Sequence, residues 1–170
     1  MPKILHEPRE NILSAAQKEL REKGVRGFNI RDVAKLSGVA IGTIYNYYGD
    51  KYNLISVVCK SFFDAEIAAQ IERYPEGRPL EKGVECLYIA LQEFKNEHSE
   101  ALGAILEGRV GEEDLFLEGT LKLLDKALES AKKSLSDEEK IFVASNILWA
   151  ALKEEAPLEL LQRVALFLAK

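Results

Sequence analysis

Apolar positions recur every third or fourth residue along almost the whole chain, and the strict alternation of a strand is not seen. From Arg9 onward Ile12, Ala16 and Leu20 fall on one face, Leu13 widens it, and Gly24 stands where a helix end wants a positive φ. A first helix of about four turns is expected there. Asn29 is placed to cap a second, with Asp32 near its positive end and Ile30, Val33 and Ala34 turned inward, and the pattern stops at Ser37-Gly38. A third runs from Ala40 to Tyr48 and ends at Gly49; Asp50 caps a long fourth through Leu54, Val57, Val58, Phe62 and Ile67.

After that the clearest break is YPEGRP, residues 74–79, where two prolines flank a glycine. Four more helices are expected at roughly 80–96, 99–110, 112–135 and 137–153, with Ser99 and Ser136 as starts, and Pro157 opens a last one. The predicted fold is all-α: a three-helix head over residues 1–50 and a helical-bundle body over 51–170.

Within the head, Ala34, Gly38 and Ile44 have the spacing of a helix-turn-helix. A small residue at 34 lets two helices approach, Gly38 permits a left-handed turn, and Ile44 with Val39 closes the small core between them. The third helix then keeps one face for that core and has another free to enter a DNA major groove. Ala40 and Gly42 are small enough to bring the backbone near base edges, and Thr43 carries a hydroxyl and a thymine-matching methyl. Tyr45, Asn46 and Tyr47 offer polar tips to phosphates or bases, and Lys51 opens the fourth helix, where its ammonium and the backbone N–H groups suit a phosphate. Tyr48, four residues after Ile44, is expected to pack inward. Lys3 and Arg9 are weaker candidates for the backbone of a neighbouring groove.

Charge sharpens this picture. The chain carries −5 overall, yet residues 1–60 are net +4 and the remainder net −9, so an anionic partner would meet the amino-terminal end. Cys59, Cys86, His6 and His98 lie far apart without ligand spacing, so neither zinc nor a disulfide framework is expected, nor any other cofactor. No apolar run is long enough to span a bilayer, and MPKILHEPRE lacks the apolar stretch of a secretion signal; the expected location is the cytoplasm, with no membrane partner.

The segments AAQKELREKGVRGFNI and IRDVAKLSGVAIGTIYNYYGDKYNL resemble the tetracycline-repressor (TetR) family of bacterial transcription regulators, from about Ile12 to Leu54. The resemblance implies a three-helix DNA-binding head with a tyrosine-rich recognition helix and a lysine opening helix four. It further implies a homodimer, a helical effector-binding body, and release from a palindromic operator on binding a small molecule. Tyr48 stands where the family more often has phenylalanine, Asp50 where it has a serine or asparagine cap, and Ala40 where it often has serine. The body is shorter than usual for the family and matches only in pattern.

In that body Phe62, Tyr88, Phe94, Phe116 and Trp149 are candidates to line an effector pocket, with Glu107 and Arg109 as its polar groups, although aromatics at helical spacing also build ordinary cores. The last two helices carry apolar residues on several faces, and Ile141, Leu148, Leu158, Leu161, Val164 and Leu168 are the expected dimer interface. An enzyme is disfavoured: Glu112, Glu113 and Asp114 are adjacent and point to different sides of a helix, and no nucleophile stands beside a base. The alternative to DNA binding is a regulator-like protein that docks on another protein. It predicts weak, salt-insensitive binding to DNA.

Overall fold

Among the described residues of the computed structural model, 8–108, 113–153 and 157–169, there are nine α-helices and no strand. They are α1 (Pro8–Gly27), α2 (Ile30–Ser37), α3 (Ile41–Tyr48), α4 (Lys51–Glu72), α5 (Leu80–Glu97), α6 (Ser99–Gly108), α7 (Glu113–Ser130), α8 (Asp137–Lys153) and α9 (Leu158–Leu168). Pro8 sits in the first turn of α1, where its missing N–H costs no hydrogen bond. No helix is long and apolar enough to cross a membrane among the described residues.

By packing, the chain forms two units. One holds the described residues up to Ser61 together with α6 from Glu100 on; the other holds Phe62 to Ser99 with α7, α8 and α9. The boundary expected after Asp50 therefore falls inside the first unit, at the junction of α3 and α4.

In the first unit α1 packs on α2 and α2 on α3 around Ile12, Ala16, Leu20, Val33, Ala34 and Ile44, all buried. Leu54, Ile55 and Val58 of α4 are buried too, and Gln17 of α1 donates to the Ser61 hydroxyl at 2.9 Å. Removing this much side-chain surface from water, at roughly 1.5–3 kcal/mol per large aliphatic, is what holds so small a head together. The helix expected to end at Gly24 breaks there, at φ 62 and ψ −178, but one more turn runs on to Gly27. Only glycine occupies that backbone region without strain.

In the second unit α5 packs against α7, α8 and α9, α7 packs on α8, and α8 on α9. Phe63, Phe94 and Phe116 meet edge-on or tilted with centroids 5.0–5.8 Å apart. The YPEGRP turn is tied to the end of α7 by Ser130, whose hydroxyl donates to the Pro75 carbonyl and accepts the Arg78 N–H. Ser136 and Glu139 form a reciprocal cap at the start of α8, each accepting the other's backbone N–H. One boundary differs by several residues: α7 stops at Ser130 rather than near 135. Lys132 adopts φ 54 and the Lys133 N–H returns to the Leu128 carbonyl at 2.9 Å, a left-handed helix ending in which a lysine stands where glycine is usual.

Candidate nucleic-acid interface

The two helices that bear the site are set by short-range chemistry. The Asn29 side chain accepts the Arg31 N–H at 2.9 Å and starts α2; Gly38, at φ 72, ends it and returns its N–H to the Ala34 carbonyl. A Cβ at Gly38 would meet nothing within 4 Å, so the glycine serves the backbone turn rather than a close contact. The turn then feeds α3 through the Ala40 carbonyl, which accepts the Thr43 N–H at 2.9 Å.

On α3 the faces divide cleanly. Ile44 and Tyr48 are buried, whereas Ala40, Gly42, Tyr45, Asn46 and Tyr47 are exposed and Thr43 is half-buried. Tyr45 and Tyr47 keep 46% and 49% of their surface in water, which is unusual for side chains of this size and leaves both rings and hydroxyls available. Tyr48 points inward, as expected, and its hydroxyl donates to the Arg9 carbonyl at 3.3 Å; burial raises its pKa. That bond anchors the buried face of α3 to the start of α1.

Lys51 is placed less simply than a free phosphate ligand. Its Nζ donates to the Val25 carbonyl at 3.0 Å and lies 5.9 Å from the centre of the Phe28 ring. Asp50 caps α4 by accepting the Asn53 N–H at 2.9 Å. Further back, Lys23 joins α1 to the first turn of α2, 2.8 Å from the buried Glu19 carboxylate and 2.7 Å from Asp32. Its hydrogen bond to Asp32, and after it that to Glu19, raises the Lys23 pKa; the same hydrogen bond holds Asp32 below the usual carboxylate range. These ion pairs tie α1 to the first turn of α2.

Sequence reasoning passed over several exposed groups around this surface. Ile41, Leu36 and Tyr52 are large, apolar and exposed, and Arg31 and Lys35 of α2 are exposed cations. Ile41 was hidden by its period: three residues before Ile44, it reads as a core position.

In the body the residues singled out as a pocket lining separate. Phe62 and Phe94 both lie against the His98 ring, at 5.3 and 4.6 Å, and Phe116 joins Phe94 in the aromatic cluster. Tyr88 is half-buried on α5 and accepts from Gln92 at 3.1 Å. Trp149 is exposed on α8 under the Lys153 ammonium. A cavity of ≈ 590 Å³ opens elsewhere, beside the YPEGRP turn and α5, lined by Gln70, Arg78, Lys82, Cys86, Ile89 and Glu93 among others. Of the residues expected at a dimer interface, Leu148 and Leu161 are buried within the chain, Ile141 is exposed, and Leu158, Val164 and Leu168 are partly covered. Phe142, Leu160 and Phe167 are exposed beside them on the same two helices, Phe167 at 88%. Lys3, Arg109 and Glu112 lie outside the described residues, as do the side chains of Glu107, Glu113 and Asp114. No cluster of metal-ligating side chains is found among the described residues.

A glycine-turned pair of short helices, the second with one face buried and the other bearing exposed hydroxyls and amides, defines a helix-turn-helix DNA-binding head. Residues 12–58 match the family model described as bacterial regulatory proteins, tetR family, and over that stretch the head is similar to the heads of that family. The chain is 38% identical over 74 residues to the HTH-type transcriptional regulator HbdR of Aromatoleum sp. (strain CIB), covering 42% of this chain and 32% of that one. It is 31% identical over 93 residues to the HTH-type transcriptional repressor BepR of Brucella suis biovar 1 (strain 1330), covering 54% and 44%. The matched part thus spans less than half the length of either curated relative. The crystal structure of RolR in complex with resorcinol has the same helical fold, with a TM-score of 0.66 at 15% identity over 96% of this chain and 88% of that one.

Proposed function

We propose that the chain is a DNA-binding transcription regulator, acting as a homodimeric cytoplasmic repressor that reads a palindromic operator and leaves it when a small molecule binds the body. The observation that carries this reading is the division of α3, with Ile44 and Tyr48 inside and Thr43, Tyr45, Asn46 and Tyr47 outside on a helix-turn-helix. A helix that merely filled a core would not keep two tyrosines half in water. Repression is supported by the name of BepR, and an effector by the resorcinol in RolR. Dimerisation is supported by the exposed apolar side chains of α8 and α9, which pack on each other. Two recognition helices would then sit about one turn of DNA apart, near 34 Å.

Selection of bound duplexes from a random pool by the purified chain, read at two salt concentrations, tests this. A two-fold symmetric consensus whose binding falls steeply with salt is the expected result, because neutralised phosphates release counterions. Weak binding without enrichment, insensitive to salt, would replace the reading with docking on another protein through the same surface.

A further inference from the structure

Val25 is held from both sides. Its N–H donates to Glu100 Oε2 at 3.2 Å, and its carbonyl accepts Lys51 Nζ at 3.0 Å. Glu100 belongs to the first turn of α6, and its other oxygen lies 3.5 Å from the guanidinium of Arg26. The carboxylate therefore spans the two residues at the end of α1 and sits above the break in that helix. A Cβ on Gly24 would stand 2.8 Å from Glu100 Oε2, so the glycine both makes the turn and clears the space that the carboxylate occupies.

We propose that Glu100 is a positioning residue for DNA binding: it fixes the orientation of Val25, and the Val25 carbonyl in turn holds the Lys51 ammonium where a DNA phosphate is met. The inference rests on the DNA-binding reading of the head. A lysine has three N–H donors, so the bond to Val25 leaves two for a phosphate oxygen, and an ammonium already held in place loses less freedom when the phosphate arrives. Without Glu100 the Val25 N–H faces water, the corner after Gly24 loses its restraint, and the lysine returns to a mobile stem. A phosphate contact of this kind sets register and strength on every sequence rather than base preference. Glu100 is 75 residues from Val25 in sequence and its side chain is half exposed, so replacing it opens no cavity.

The test uses the full chain, as wild type, Glu100→Ala, Glu100→Gln, Lys51→Ala and the double variant Glu100→Ala/Lys51→Ala. Binding is measured on one duplex taken from the random-pool selection, over a range of salt. Glu100→Ala should lower the slope of log affinity against log salt by as much as Lys51→Ala, about one per protomer, and the double variant should be no worse than Lys51→Ala alone. Glu100→Gln, whose amide oxygen can still accept the Val25 N–H, should keep the wild-type slope. In the free protein, Val25 amide hydrogen exchange should quicken at least tenfold in Glu100→Ala and stay near wild type in Glu100→Gln. A wild-type slope for Glu100→Ala, or losses that add in the double variant, would overturn the proposal while leaving DNA binding intact. A wild type that binds no duplex removes the proposal together with the reading beneath it, and the two failures are thereby told apart.

Discussion

At the scale of single residues, the proposed function divides the exposed face of α3 and its surroundings into groups that would read bases and groups that would hold the helix in place. Thr43 has a hydroxyl and a methyl at the start of α3, next to the exposed Gly42, and under the proposed function both would act on a base edge brought close there. Thr43→Ala should relax the preference at one base pair of the half-site by about 1–3 kcal/mol and leave the others unchanged, as read from binding to a panel of singly substituted duplexes. Equal losses at all positions would assign Thr43 to the backbone instead. Asp32 makes a pH prediction with a definite sign. Lys23 holds its pKa below the unfolded value, so its contribution to stability is present above about pH 4 and is lost as pH falls through the lowered folded value. Asp32→Asn should therefore melt lower than wild type near neutrality, and the difference should close on acidification, which thermal melts at stepped pH will show. The thiols also differ: burial pushes Cys59 up to about 12, whereas Cys86 is only half-buried, so a thiol reagent at pH 8 should label Cys86 in the native chain and Cys59 only after unfolding.

At the scale of elements, what was legible in the sequence is what neighbouring residues decide among themselves. The caps at Asn29, Asp50 and Ser136 and the turn at Gly38 are each made within five residues, and each stands where its residue type predicted. The end of α7 was not legible, because Lys132 takes a left-handed conformation that its type does not advertise. The bonds of Val25 to Glu100 and Lys51 were hidden for another reason: they join residues 75 and 26 positions apart, and periodicity says which face of a helix is apolar without saying what will lie against it. Lys51 was singled out by its place at the start of α4, whereas its partner in the free protein, the Val25 carbonyl 26 positions away, was not legible. Gly24 gives the element-scale prediction. Alanine there must adopt φ near 62 and ψ near −178, and its methyl must displace Glu100, so Gly24→Ala should destabilise the chain by about 1–3 kcal/mol or more in denaturant unfolding.

At the scale of the whole molecule, the apolar residues of α8 and α9 divide into those buried in their own chain and those left exposed. Leu161, buried in its own chain, should on replacement by glutamate lower stability by several kcal/mol, on the order expected for an unpaired buried charge. Phe167, almost wholly exposed, should on the same replacement leave the melting temperature of the fold in place and convert a dimer to a monomer in light scattering. If the mass of Phe167→Glu stays that of a dimer, another surface joins the protomers. The helical period alone groups the two residues together, since it cannot tell a side chain buried by its neighbour helix from one left exposed. The membership of α6 in the same unit as the helix-turn-helix has a practical consequence for anyone recombining regulators of this kind. A chimera made with a single crossover within α4 would graft the Gly24–Val25 corner of one parent opposite the α6 of another, and the carboxylate at position 100 would have to be matched by chance. Transplanting this head onto another body calls for two crossovers, so that residues 99–108 travel with the head they contact.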